Sequence, residues 1–391
     1  WSSDVCSSDL RTYIFYNDGS YPTTTNTANL TIYNGTGVLS DFVMLDCNAD
    51  GKKDIVIGDE QYSSLGRTGR IYILYNDGSY PTDVASADAT ITGETTANKF
   101  GNSIAVGDIN TDGKNDLLVG AREYSTATGR TYIFYNDGSI PSAAASADVI
   151  ITGEATNDNF GYDIVTADFN ADGKTDFAIG SQRNSTTKVY LFYNDGSIPT
   201  TAATADATIT GDLFTYFGRS LAAGDMNADG REDLLVSNAS AYGNVYIFYN
   251  DGSYPTTHTT ADVIITGQSS TSYLGGPMRL GDMNSDGKKD LVIGIDPGST
   301  ILGSVHIFYS QNGVLNTNRN ITGETTSNSF GGALTIGDFN ADGRIDFVIG
   351  SPFAVSAGNG RAYIFYNDGS IPTTAATADV IITGEGADDA F

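Results

Sequence analysis

Apolar residues in this chain come in short runs separated by turns rich in Gly, Asn, Asp and Thr. One stretch shows the pattern: "YDIVTAD" (162–168), "DFAIG" (176–180), "KVYLFY" (188–193) and "DATITG" (206–211). Each run is rich in Val, Ile, Tyr, Phe and Thr, which predicts four β-strands. No stretch sustains a 3.6-residue apolar period, so very little helix is expected. Clean alternation is also missing. Runs such as "YIFY" and "VIIT" are apolar on both faces, as suits sheets covered on both sides.

The four runs recur. A loop appears as "DCNADGKKD", "DINTDGKND", "DFNADGKTD", "DMNADGRED", "DMNSDGKKD" and "DFNADGRID", starting at Asp46, Asp108, Asp168, Asp225, Asp282 and Asp338. A second signature, "YNDGS", starts at Tyr16, Tyr75, Tyr135, Tyr193, Tyr249 and Tyr366, and has degenerated to "YSQNG" at Tyr309. "ITGE" or a near relative closes most units. Buried four-stranded sheets repeating every 60 residues or so are the blades of a β-propeller. The first run of each unit is poor in large side chains ("SIAVGD", "SLAAGD"), as the crowded strand around a central channel requires.

The units resemble FG-GAP repeats, the blades of the integrin α-subunit propeller and of many bacterial surface proteins. The opening "FG" is present at Phe100-Gly101, Phe160-Gly161, Phe217-Gly218 and Phe330-Gly331, and becomes Leu274-Gly275 in one unit. "GSP" (350–352) comes nearest to the "GAP" element. The fold class is therefore all-β, a β-propeller of four-stranded blades. Six full units are expected at 38–99, 100–159, 160–216, 217–273, 274–329 and 330–384. Residues 11–37 supply the last two strands of a further unit, and 385–391 the start of the next. The resemblance implies seven blades. Residues 1–10, "WSSDVCSSDL", match nothing later in the chain and resemble translated adapter sequence, so they carry no fold argument. The remainder, 11–391, reads as one propeller cut at both ends.

The loop D-x-N-x-D-G-x-x-D carries the chemistry. Side chains one, three and five converge in an EF-hand-like turn, the seventh residue offers its carbonyl, and the glycine permits the bend. An EF-hand also needs a glutamate six residues after the glycine, but Ile179 stands at that place after Gly173. Here the ninth residue, always Asp, can close the shell. The expected calcium ligands are Asp46, Asn48, Asp50, Lys52 and Asp54; then Asp108, Asn110, Asp112, Lys114 and Asp116; then Asp168, Asn170, Asp172, Lys174 and Asp176. The second half of the chain repeats the set with Asp225, Asn227, Asp229, Arg231 and Asp233; Asp282, Asn284, Asp286, Lys288 and Asp290; and Asp338, Asn340, Asp342, Arg344 and Asp346. Oxygen donors without His or Cys favour calcium over zinc or copper. About six structural ions are expected, on the lower face by the resemblance.

Composition narrows the function. Acids number 47 against 20 Lys and Arg, for a formal charge of −27, which repels phosphate backbones and argues against nucleic acid. Two cysteines give no disulfide framework. No run of apolar residues is long enough to insert in a membrane. His306, in "SVHIFY", is expected in a packed strand and His258, in "YPTTHTTAD", in solvent; neither forms a catalytic constellation, so no enzyme is expected. The "YNDGS" Asp needs only a turn role. The most variable stretches, "REYSTATGR" (122–130), "QRNSTTK" (182–188), "ASAYGN" (239–244) and "DPGSTILGS" (296–304), fall on the upper face by the resemblance, where family members engage ligands. The leading expectation is an extracellular or cell-surface adhesion or recognition scaffold with a protein or glycan ligand, part of a larger bacterial protein. The alternative is a carbohydrate-active propeller, a lectin or polysaccharide lyase.

Overall fold

A computed structural model describes residues 11–17, 20–33, 39–63, 66–182, 187–213, 215–238, 242–267, 274–295, 302–311, 314–326, 329–352 and 359–385. Six four-stranded antiparallel sheets stand in a ring, together with a two-stranded ribbon of Arg11–Ile14 and Leu30–Tyr33. The expected propeller is what the chain forms.

The third blade is representative. Phe160–Ala167, Asp176–Ser181, Lys188–Phe192 and Ala207–Thr210 pair in chain order, with Ile164 opposite Ile179, Ile179 opposite Tyr190, and Tyr190 opposite Thr208. Every residue of its second strand is buried, because neighbouring blades cover both faces. The first strands of successive blades neighbour one another round the channel. Small residues there, among them Ala105, Ala167 and Ala222, let them approach. The remaining blades span 39–92, 100–152, 221–266, 278–322 and 333–383.

Blades are joined in series. The "FG" phenylalanine is fully buried and meets the third-strand tyrosine of its own blade edge-on, as in Phe160–Tyr190 at 5.5 Å. The same residue forms a parallel bridge back to the preceding blade, Gly69 to Phe100 and Gly129 to Phe160. At the rim, the connection before each fourth strand swings across to the blade before it. Thr92 bridges Ala143, Thr152 bridges Thr201, Thr210 bridges Thr257 and Thr322 bridges Thr374. The ribbon obeys the same rule at both sides: Tyr33 bridges Asp83 of the first blade, and Thr383 of the sixth blade bridges Thr24. It therefore occupies one blade position between the sixth and the first.

Aspartates stitch the inner strands as well. Ile104 N–H donates to Asp41 Oδ2 at 2.8 Å, and Leu221 N–H to Asp163 Oδ2 at 2.7 Å, each bond crossing to a later blade. Burial, with the nearby Asp41 charge adding to it, pushes Asp163 up to about 7. A carboxyl whose folded value lies above its unfolded value favours folding more as pH falls, over the window from about 7 down to about 4. Urea midpoints should rise from pH 8 to pH 5, and Asp163→Asn should flatten that slope. An unchanged slope in the variant would assign it to other groups.

The fifth blade breaks the pattern. Its third and fourth strands, Ser304–Gln311 and Val314–Thr322, form one long hairpin in place of the usual excursion. The degenerate "YSQNG" is thus a shortened connection.

Candidate metal loops

The six D-x-N-x-D-G-x-x-D loops join first to second strands and share one backbone shape. Position four is left-handed in all, at Ala49, Thr111, Ala171, Ala228, Ser285 and Ala341, with φ between 59° and 63°. Glycine six follows with φ between 83° and 87°. A residue with a Cβ costs about 1–2 kcal/mol in that region, so something local must hold it.

Side-chain oxygens supply that hold. In the 168–176 loop, Asp172 N–H donates to Asp168 Oδ1 (3.0 Å) and Asn170 Oδ1 (2.9 Å). Gly173 N–H donates to Asp168 Oδ2 (2.8 Å), and Lys174 N–H to Asp172 Oδ1 (2.9 Å). Residues one, three and five therefore turn their oxygens onto the backbone of the loop.

The ninth aspartate behaves differently. Asp54, Asp116, Asp176, Asp233, Asp290 and Asp346 are all fully buried. Asp176 Oδ2 accepts from Phe169 and Asn170 N–H, and Oδ1 from Asn194 N–H at 2.7 Å. The last bond ties the loop to the "YND" turn of the same blade. Burial, opposed by these bonds and reinforced by Asp172, raises Asp176 to about 6; Asp233 reaches about 6 mainly through burial as well.

The seventh side chain turns towards that neighbouring turn. Lys52 Nζ donates to Asn76 O (3.1 Å), Lys174 Nζ to Asn194 O (3.1 Å) and Arg231 Nη1 to Asn250 O (3.2 Å). The donor chemistry is all oxygen, which fits a hard cation. Among the described residues no three Asp, Glu, His or Cys side chains converge as a metal cluster. In this conformation the carboxylates serve backbone N–H groups.

The "YND" signature does more than turn. Its Asp accepts from the Ser two residues on, as in Ser139 N–H to Asp137 Oδ1 at 3.0 Å. Its Asn is a buried staple to the loop of the previous blade. Asn136 Nδ2 donates to Asp46 O (2.7 Å), Asn250 Nδ2 to Asp168 O (3.2 Å) and Asn367 Nδ2 to Met283 O (2.7 Å). In the fifth blade Ser310 Oγ makes the equivalent bond to Met226 O. The fixed spacing between the two motifs was the available signal, but a turn-forming Asn reads as local until the ring is built.

The opposite face carries second-to-third connections and the "ITGE" crossings. The glutamates pair with the basic residue opening the next blade's third strand: Glu94 with Arg130 (2.8 Å), Glu154 with Lys188, Glu324 with Arg361 (2.7 Å), and Glu385 with Arg11 of the ribbon (2.8 Å). The fourth blade has Asn244 there, and His258 Nε2 pairs with Asp212 at 3.1 Å instead. Contrary to expectation, His258 is buried. It opens the 3-10 turn His258–Thr260, a position that is Val84, Ala144, Ala202 or Ala375 in other blades and packs inward in each. His306 lies in a strand, as expected, half-buried and lowered by burial.

Of the variable stretches on this face, residues 183–186, 239–241 and 296–301 lie outside the described residues. "REYSTATGR" is described throughout. Ser125, Thr126 and Ala127 have φ of 47°, 58° and 59°, a left-handed turn made without glycine. Tyr124 lies 3.7 Å under the Arg130 guanidinium, and Arg122 reaches Tyr162 of the next blade at 4.9 Å.

Comparison with known proteins agrees with this geometry. The FG-GAP-like repeat profile matches residues 168–236, 225–293 and 282–349, and the FG-GAP repeat profile matches 100–134. The chain is 26% identical over 380 residues to the phosphatidylinositol-glycan-specific phospholipase D of Homo sapiens, covering 82% of this chain and 44% of that protein. It is 28% identical over 213 residues to integrin alpha-5 of Xenopus laevis, covering 49% and 20%. Integrin alpha-IIb of Mus musculus is 32% identical over 166 residues, covering 39% and 16%. The chain thus spans less than half the length of the relatives it matches. With both profiles lying on the blades, and the buried Phe-Gly pairs joining one blade to the last, the chain belongs to the FG-GAP repeat family.

Proposed function

We propose that this propeller is a calcium-stabilised extracellular recognition module that engages a protein ligand through the face opposite its calcium loops. The contrast between faces carries this reading. One face repeats the same loop six times, with the same strained position four. The other departs from repetition and holds a left-handed turn whose Ser125 and Thr126 are exposed. Backbone strain of about 1–3 kcal/mol per residue persists where surrounding structure over-determines it, and such residues cluster at binding sites. Similarity to integrin alpha subunits supports the same direction.

Each loop would hold its ion with Asp one, Asn three, Asp five and the carbonyl of residue seven, with the buried ninth aspartate beneath. The ion would cancel carboxylate repulsion and fix the turn. The phospholipase activity named for the other relatives is not part of this reading. Both histidines of this chain serve structural contacts, His258 with Asp212 and Thr210 and His306 with Ser304.

Chelation provides the first test. A site at 100-fold ligand excess over its Kd adds about 2.7 kcal/mol, so EGTA should lower the melting temperature by well over 5 °C. Calorimetric titration should return close to six calcium ions. A melt indifferent to EGTA would sink the calcium reading. For recognition, immobilised matrix-protein and glycan arrays should capture the chain, with proteins preferred. Ser125→Arg/Thr126→Arg should weaken capture at least tenfold without moving the melt. Capture by glycans alone would favour the lectin alternative.

A further inference from the structure

The fifth blade departs from the others in charge as well as in length. By the register of each sheet, one fourth-strand position is Ala89, Val149, Ala207, Val263 or Val380 in five blades. In the fifth it is Arg319, opposite Ile307. The residue before it is aspartate in those five blades and Asn318 here, and the aspartate of "YND" is replaced by Gln311. In a chain of formal charge −27, one short hairpin therefore loses two acids and gains a base.

Beside that hairpin lies a cavity of about 420 Å³, between the fifth and sixth blades on the face of the D-x-N-x-D-G loops. Arg319 and Tyr309 line it from the hairpin, Ser285 from the fifth loop, and Arg344 and Ile371 from the sixth blade. Arg344 is freed from the role of its counterparts. Lys52, Lys114, Lys174 and Arg231 each donate to the asparagine carbonyl of their own "YND" turn. Arg344 instead lays Nη1 over Gly369, 3.0 Å from where a Cβ would stand. Among the described residues neither Arg319 nor Arg344 is in an ion pair. Asp368 is near Arg344, but Ser370 N–H (2.9 Å) and Oγ (2.7 Å) already hold its carboxylate.

We infer that this cavity binds one acidic sugar, a uronate or a sulfated pyranose at the end of a glycan. Guanidinium forks match the oxygens of a carboxylate or a sulfate, and two of them border the same space. The exposed Ser285 hydroxyl faces the ring hydroxyls, while the half-buried Tyr309 and Ile371 offer apolar surface to the C–H face of the sugar. The volume is far more than a bare oxyanion fills and falls among small-molecule sites of about 300–1,000 Å³. A long polyanion is disfavoured, because the acidic surface around the cavity repels the rest of its charges. A single terminal acid meets only the two arginines. The site lies on the face opposite Ser125 and Thr126, so it acts separately from the protein recognition proposed above.

Calorimetric titration of the chain with methyl β-glucuronide should return one site, with neutral methyl β-glucoside at least tenfold weaker. Glucose 6-sulfate, titrated alongside, shows whether the arginines prefer sulfate or carboxylate. Arg319→Val installs the residue of the second, fourth and sixth blades, so the variant should melt as the parent does while binding the preferred acidic sugar at least tenfold more weakly. Arg344→Gln should weaken it to a similar degree. Each titration is repeated in EGTA, because a uronate can also ligate calcium, and the affinity should persist there. No binding of either acidic sugar, equal binding of acidic and neutral sugars, or equal binding by parent and Arg319→Val overturns the inference. Loss of binding in EGTA passes the sugar to a loop ion and overturns it too. Inorganic sulfate binding as tightly as either acidic sugar leaves a bare anion as the occupant and removes the sugar.

Discussion

Gly129→Ala should cost about 2–5 kcal/mol in urea denaturation, more than most single substitutions. Gly129 has φ of +82°, where an alanine costs about 1–2 kcal/mol in strain. A Cβ there would also collide with the backbone N and O of Phe160, the residue that bridges back from the next blade. Backbone cannot rotate aside as a side chain can, so two blades must part, and overpacking adds about 1–3 kcal/mol. Gly138→Ala is the control. Its φ is +96°, yet nothing lies near its missing Cβ, so only the strain should appear, about 1–2 kcal/mol. Equal losses at the two sites would mean that the blade contact contributes little.

Asp176→Ala should be comparably damaging even without calcium. Three buried N–H groups, from Phe169, Asn170 and Asn194, lose their acceptor. Each buried donor left unsatisfied costs about 1–3 kcal/mol, and since the three share one group a total of about 3–5 kcal/mol is expected. Asp172→Ala, at the exposed fifth position, should cost under about 1.5 kcal/mol in EGTA, since the two donors it leaves, Lys174 N–H and Asn170 Nδ2, are exposed and can turn to water. In calcium the order of effects should narrow, because Asp172→Ala then also forfeits an ion. If Asp176→Ala were mild in EGTA and severe only in calcium, the ninth aspartate would be a ligand first and a loop anchor second.

The fold was legible because its signals are periodic and local. Four strands per unit, the buried second strand and the crowded first strand all follow from run length and residue size within sixty residues. The loop shape followed too, since Asp168, Asn170 and Asp172 act on backbone only a few positions away. What the chain did not disclose is cross-blade. Asn250 looks like any turn residue, and its bond to Asp168 O joins residues 82 apart in sequence. The carboxylate of Asp163 looks like a surface charge until Leu221 is brought over it. His258 failed for a related reason: its neighbours in sequence are polar, while its position in the 3-10 turn is set by the packing of a different blade. The ninth residue stands out in sequence as always Asp, but its three N–H bonds come together only where the "YND" turn lies beside it.

Each kind of staple described above runs in one direction only. A glutamate reaches forward to the next blade's base, an asparagine reaches back to the previous loop, and none is reciprocated by the same contact in reverse. Each blade is therefore a subunit with a distinct front and back, and the interface between them is heterologous. Head-to-tail interfaces of this kind end only by closing on themselves, and otherwise remain open to further addition. For a lineage of such chains, the number of blades becomes a matter of angle and copy number, because one more repeat brings both halves of the contact it needs.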